Sequence, residues 1–122
     1  MKLKEDLKIA IVGPCSSGKS TLRKSLLAAG YRTVKNPTQE HSYVKDMWQK
    51  ITNPDILIYL DVDYPTTLVR RPHIDLGEQR VITQNQRLSH ARDHADFYLD
   101  TSPLTPKEIS EKVLEFLESN SL

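Results

Sequence analysis

The chain has little of what would set it apart by composition. One cysteine, Cys15, in 122 residues excludes an internal disulfide and suits a reducing cytosol. Lysine plus arginine (17) nearly balance aspartate plus glutamate (16), and a net charge of +1 gives no bulk attraction to nucleic acid or a membrane. No apolar run approaches ~18 residues, so no membrane-spanning helix is expected. The leading Met1-Lys2-Leu3-Lys4-Glu5-Asp6 lacks the apolar core of a signal peptide. Internal repeats and low-complexity segments are absent as well. The expectation is a cytoplasmic globular protein with one domain over 1–122. A chain of this length buries about two thirds of its unfolded surface, enough core to fold without staples.

What is present is one phosphate-binding pattern. Gly13-Pro14-Cys15-Ser16-Ser17-Gly18-Lys19-Ser20-Thr21 follows an apolar run over 7–12 and opens a helical pattern. Its G-x-x-x-x-G-K-S spacing is the Walker A, or P-loop, signature. Triphosphate oxygens need many fixed donors and a positive end to face. Gly13 and Gly18 permit turns that a Cβ would forbid. Successive N–H groups then form an anion nest, and the helix from about Gly18 adds its N-terminal dipole. Lys19 reaches the β and γ phosphates as a point charge. Ser20 offers a hydroxyl to Mg²⁺, and Thr21 lies near the α-phosphate. Cys15 occupies a variable position and reads as a loop filler.

Hydrophobic patterning organises the rest. Strands are expected over 7–12, 31–35, 55–62 and 96–100. The continuous apolar run before Asp61 suits a central strand buried on both faces. Helices are expected over 18–29, 39–50, 65–71 and 80–94. A further helix follows the capping box Thr105-Pro106-Lys107-Glu108. The 39–50 helix would bury Val44, Met47, Trp48 and Ile51, and the 80–94 helix a stripe through Val81, Asn85, Leu88 and Ala95. The segment 72–79 reads as a loop. Alternation of this kind predicts an α/β chain, a three-layer α/β/α sandwich on a short parallel sheet of about four strands. Right-handed crossovers place all strand C-termini on one side. The P-loop, Glu40-His41, Asp61-Asp63 and Thr101-Ser102 all follow strands, so they are expected around one cleft.

With these residues in view, the chain resembles small P-loop kinases of the nucleoside and nucleotide monophosphate type. Segment 7–21 carries the resemblance. Pro54-Asp55-Ile56-Leu57-Ile58-Tyr59-Leu60-Asp61-Val62 looks like the fourth strand of thymidylate-kinase-like proteins. Ala95-Asp96-Phe97-Tyr98-Leu99-Asp100-Thr101-Ser102-Pro103-Leu104-Thr105-Pro106 looks like their last strand and adenine-side loop. The resemblance implies a P-loop NTPase fold, ATP and Mg²⁺ as cofactors, and an adenine site near Thr101 and Ser102. The departures matter too. Residues 30–53 are too few for two strands plus an acceptor domain, so one family strand and its carboxylate are missing. The chain looks like a trimmed kinase core.

Several residues carry two readings. Asp61 ends an apolar strand, where a Mg²⁺-associated carboxylate would sit or where a turn is capped; Asp63 reads as turn chemistry. Glu40 and His41 sit at the expected cleft edge. Either would orient or deprotonate an attacking oxygen, and Glu40 would alternatively hold a Mg²⁺-bound water or favour a helix N-terminus. Arg70 and Arg71 precede Pro72, which turns them inward as lid arginines; Arg87 is a weaker candidate, and Arg80 and Arg92 share the basic region. A solvated helix face is the alternative. His73, His90 and His94 read as surface residues, and Trp48 as core. The expected function is ATP–Mg²⁺ binding with γ-phosphoryl transfer to a small acceptor by Lys19, Glu40, Arg70 and Arg71. A degenerate nucleotide-binding module and a GTPase-like switch are the alternatives, the guanine-specifying N-K-x-D pattern being absent. A missing strand would leave an edge that a second copy of the chain covers.

Overall fold

A computed structural model describes residues 3–75 and 77–119. Met1 and Lys2 of the leading segment, and Leu76 of the expected 72–79 loop, lie outside the described residues. The order is β1 (Lys8–Val12), α1 (Lys19–Ala28), β2 (Thr33–Lys35), a 3-10 turn (Gln39–His41), α2 (Met47–Thr52), β3 (Ile56–Asp61), α3 (Tyr64–Arg70), α4 (Glu78–Arg87), α5 (Ser89–His94), β4 (Phe97–Asp100) and α6 (Pro106–Ser119).

The four strands form one all-parallel sheet in the order β2-β1-β3-β4. Strands covered on both faces carry apolar runs, as β1 does over 9–12 and β3 over 56–60. Ile9, Ile11, Ile58 and Leu60 point to one face, where Leu22 and Leu26 of α1 and Ile109, Val113 and Leu117 of α6 close over them. Ala10, Val12, Leu57 and Tyr59 point to the other, against Trp48, Leu88 and Ala91. Helices therefore cover both faces, an arrangement compatible with the expected three layers.

Two aspartates set the strand register. The Lys8 amide donates to Asp55 Oδ2 at 2.8 Å, and the Asp55 amide returns a bond to the Lys8 carbonyl. Asp96 repeats this device one strand over. Its Oδ2 accepts from the Leu57 amide at 2.7 Å while its own amide donates to the Leu57 carbonyl. Each aspartate sits just before a strand and latches it to its neighbour.

Two expected helices are broken. The segment 39–50 forms a 3-10 turn, an irregular stretch and the short α2. Side chains compete with the helical backbone there. Gln39 Nε2 donates to the Val44 carbonyl, the Trp48 amide donates to Gln39 Oε1, and the Val44 amide donates to Ser42 Oγ. As a result Val44 (50% exposed) and Ile51 (61%) leave the expected core face, and Trp48 alone is buried. The 80–94 helix divides into α4 and α5. The Leu88 amide donates to both the Gln84 and Asn85 carbonyls, tightening the last turn of α4. The bend seats Leu88 fully in the core.

The capping box is present: the Thr105 amide donates to Glu108 Oε1 at 3.0 Å and the Glu108 amide to Thr105 Oγ1 at 3.2 Å. Among the described residues, no helix is long and apolar enough to cross a membrane.

Candidate functional site: the glycine loop and its cleft

Strand order reverses at β1, which has β2 on one side and β3 on the other. In open parallel sheets a ligand crevice forms at such a point, outside the strand C-termini. The loop between β1 and α1 occupies it. Gly13 is required by space, because a Cβ there would lie 2.0 Å from the Leu60 carbonyl oxygen. Gly18 is required by conformation, with φ of +101° at the N-cap of α1. Ser16 adopts φ of +68°, a left-handed state uncommon outside glycine. Alternation of right- and left-handed residues is the geometry of an anion nest.

The loop's carbonyls are engaged by side-chain donors. Lys19 Nζ donates to the Gly13 carbonyl at 2.6 Å and the Pro14 carbonyl at 3.0 Å. Arg70 Nη1 donates to the Ser16 carbonyl at 2.8 Å. Thr101 Oγ1 lies 3.0 Å from the Ser17 carbonyl and 2.8 Å from that of Asp61. The first amides of α1 have no partner within the helix.

Lys19 Nζ also pairs with Glu40 Oε2 at 3.0 Å. Glu40 is only 4% exposed, and its Oε1 has no hydrogen-bond partner. His41 Nε2 lies 3.9 Å from Glu40 Oε2 and 3.7 Å from Cys15 Sγ. Gln84 of α4 clamps the loop's apex: its Oε1 accepts from the Cys15 amide at 3.0 Å, and its Nε2 donates to Cys15 Sγ at 3.3 Å.

Three cavities meet at the loop. One of about 260 Å³ is lined by the loop residues through Ser20 and Thr21, with Asn36, Thr38, Glu40 and Arg71. A second, about 240 Å³, lies towards Leu22, Pro106 and Ile109. A third, about 270 Å³, lies towards α3 and α4 and includes His41, Tyr64, Arg71, Arg80 and Gln84. Arg71 lines all three and is exposed.

The residues singled out in the sequence thus separate into two sets. Lys19, Ser20, Thr21, Glu40, His41 and Arg71 surround the cleft, together with the loop residues Cys15, Ser16, Ser17 and Gly18. Arg70 and Arg80 each line one of the other two cavities, and the rest support the cleft. Arg70 reaches the Thr101 hydroxyl at 3.0 Å besides the Ser16 carbonyl, tying the loop to the turn after β4. Burial pushes its guanidinium below the ordinary arginine value, with Asp63 and Asp100 opposing. Thr101 is fully buried beneath the loop, and Ser102 Oγ accepts from the Asp63 amide at 2.9 Å. The Asp61 carboxylate accepts from the Val62 amide and the Tyr98 hydroxyl. It is not among the residues lining the three cavities. Asp63 caps α3 through the Thr66 amide at 2.8 Å, and hydrogen bonding from the Thr66 side chain first and then its amide holds the carboxyl below the usual value.

Gln39 and Gln84 are the residues that sequence reasoning passed over. Both are buried, and both organise the cleft wall by side-chain bonds to backbone. Gln84 lies three residues after Val81 and four before Leu88, so helical spacing already placed it on the inward stripe.

No protein-family model matches this chain, and no curated protein matches it.

Proposed function

We propose that the protein is a small P-loop protein that binds ATP–Mg²⁺ and transfers the γ-phosphoryl group to a small acceptor. The observation that supports this reading is the pairing of a strained glycine nest with Lys19 and Glu40 at the strand-order reversal. The fit to a phosphate chain rests on features of the loop itself. Its carbonyls are occupied by Lys19 and Arg70, a Cβ at Gly13 is excluded, and Ser20 and Thr21 line the cleft.

In this reading the loop amides and Lys19 bind the phosphates, and Lys19 exchanges Glu40 for phosphate oxygens. Ser20 is the residue that would hold Mg²⁺, which when bound neutralises phosphate charge. Released from Lys19, Glu40 accepts a proton from the attacking hydroxyl or orients it. Arg71, at the rim of all three cavities, supplies positive charge as the site closes. The acceptor fits the cavity towards α3 and α4, where Arg71 and Arg80 favour an anionic group such as a nucleotide phosphate.

Calorimetric titration of ATP–Mg²⁺ against wild type and Lys19→Ala tests the binding. Heat in wild type and its loss in the variant is expected; equal affinity, or none in either, sinks the reading. Preference for GTP over ATP would point to a switch, and inorganic phosphate as the sole ligand would leave the anion cradle alone. A screen of acceptors for ADP release tests the transfer.

A second reading, a nucleotide-binding module without transfer, is favoured by one observation. The lining of the loop cleft contains a single carboxylate, Glu40. Binding without ADP release on any acceptor would support it.

A further inference from the structure

The wall of the cleft carries a donor set that phosphate binding does not use. Cys15 Sγ, His41 Nε2 and a Glu40 carboxylate oxygen all lie within 4.8 Å of one another. The measured separations are 3.7 Å for sulfur to nitrogen and 3.9 Å for nitrogen to oxygen. A tetrahedral zinc ion has bonds of about 2.3 Å to sulfur and about 2.0 Å to nitrogen or oxygen. Such bonds place ligand atoms roughly 3.5 Å apart. The sulfur–nitrogen edge is already close to that figure, and a shift of about an ångström in the Glu40 carboxylate or His41 ring would complete three corners of it.

We propose that Cys15, Glu40 and His41 bind a divalent transition metal of the Zn²⁺ class at the mouth of the glycine loop. Donor chemistry selects the metal, since thiolate and imidazole suit Zn²⁺, whereas Mg²⁺ takes oxygen alone. An independent sign comes from Glu40. Its side chain is nineteen-twentieths buried, yet Oε1 has no hydrogen-bond partner. Lys19 thus satisfies only Oε2 of a buried carboxylate, and a metal sharing that carboxylate would offset the cost that the bare Oε1 leaves. Gln84 supplies an outer support. Its amide clasps Cys15 at both backbone nitrogen and sulfur, fixing the direction of Sγ. Cys15 is half-buried and His41 exposed, and both line the cavity of about 270 Å³, which provides entry and an open fourth position.

Lys19 is the competitor for this site. Its ammonium stands 3.0 Å from the Glu40 oxygen that a metal would share. Metal on Glu40 and an anion on the loop both require Lys19 to leave the carboxylate. Each therefore strengthens the other, by the same factor in both directions.

The metal alone is the probe, so the result stands apart from whether ATP binds. Co²⁺ titrated into the reduced, nucleotide-free protein is expected to give one equivalent of tetrahedral absorption with a sulfur-to-cobalt charge-transfer band. Zn²⁺, followed by competition with a chromophoric chelator, is expected to displace it. Cys15→Ser should abolish the charge-transfer band, and His41→Ala should weaken Zn²⁺ binding at least tenfold. Lys19→Met should tighten it. His41 is exposed, so its variant is expected to keep the wild-type circular dichroism spectrum. Absence of the charge-transfer band in wild type, or unchanged Zn²⁺ affinity in both Cys15→Ser and His41→Ala, overturns the proposal.

Discussion

Lys19 Nζ lies 3.0 Å from Glu40 Oε2, and the two side chains are 12% and 5% exposed. Lys19 is thus held by a carboxylate and two carbonyls. Losing one member of such a pair strands the other in a poorly solvated place. Lys19→Ala should lower stability by about 3 kcal/mol, because it leaves the buried Glu40 carboxyl without its cationic partner. Adding Glu40→Gln should restore most of that loss. Urea unfolding of the two variants and the wild type measures it. A loss below about 1 kcal/mol in Lys19→Ala would show that the pair contributes little to stability.

The two loop glycines differ in what an added methyl would meet. At Gly13 a Cβ would lie 2.0 Å from the Leu60 carbonyl, so the β1–β3 pair must move. At Gly18 the nearest atom is Ile109 Cδ1 at 3.4 Å, and only the positive φ is at stake. Gly13→Ala should cost about 3 kcal/mol and Gly18→Ala about 1–2 kcal/mol. Equal losses in thermal or urea unfolding would contradict this account.

The adjacent arginines should part company on mutation. Arg70→Ala removes charged donors from the Ser16 carbonyl and Thr101 and should cost about 2 kcal/mol. Arg71→Ala, at an exposed rim position, should stay within ~0.5 kcal/mol of wild-type stability. ATP titration is expected to show Arg71→Ala weakened although its fold is intact. A stability loss in Arg71→Ala matching that of Arg70→Ala would reverse the assignment.

Tyr98 stacks on Tyr59 and donates its hydroxyl to Asp61. Burial first, then that bond to a carboxylate, pushes its pKa up to about 12. Tyr59 is raised further, chiefly by burial. A pKa raised on folding stabilises the fold below the unfolded value near ~10, and the contribution is lost as pH climbs through the folded value. Stability should therefore fall across pH 10 to 12, less steeply in Tyr98→Phe. Ultraviolet titration of tyrosinate should show Tyr59 and Tyr98 ionising last. Early ionisation of all five tyrosines would contradict the packing.

Thr105→Ala opens the capping box at the start of α6 and should cost about 1 kcal/mol, read from the shift in urea midpoint.

Much of this fold could be read directly from residue order. The buried strands β1 and β3 declare themselves through unbroken apolar runs, and the helices α1 and α6 through their caps and apolar spacing. The broken helices did not. Val44, Met47, Trp48 and Ile51 have helical spacing, yet Gln39 and Ser42 offer their own bonds to the backbone between them. Periodicity counts apolar positions and is blind to a buried amide that prefers the main chain. The cleft was similarly half legible. Loop and Glu40 follow from motif and strand ends, and Arg71 from the break at Pro72. Gln84 is contributed by a helix some seventy positions away, and Arg70 bonds the Ser16 carbonyl while lining the cavity towards Leu22. Sequence spacing alone says nothing of which side of a loop an arginine reaches.

Lys19, Arg70 and Thr101 all grip the loop by its oxygens. A loop fastened in this way cannot easily relax into other shapes once the chain has folded. The disorder such a segment would otherwise surrender on meeting a ligand is surrendered during folding instead. Its backbone is set in place, so an anion arriving there encounters a surface already shaped, with the Cys15 amide held by Gln84. Loosening the Arg70 or Thr101 grip should make recognition entropically dearer without touching a single group that meets the ligand.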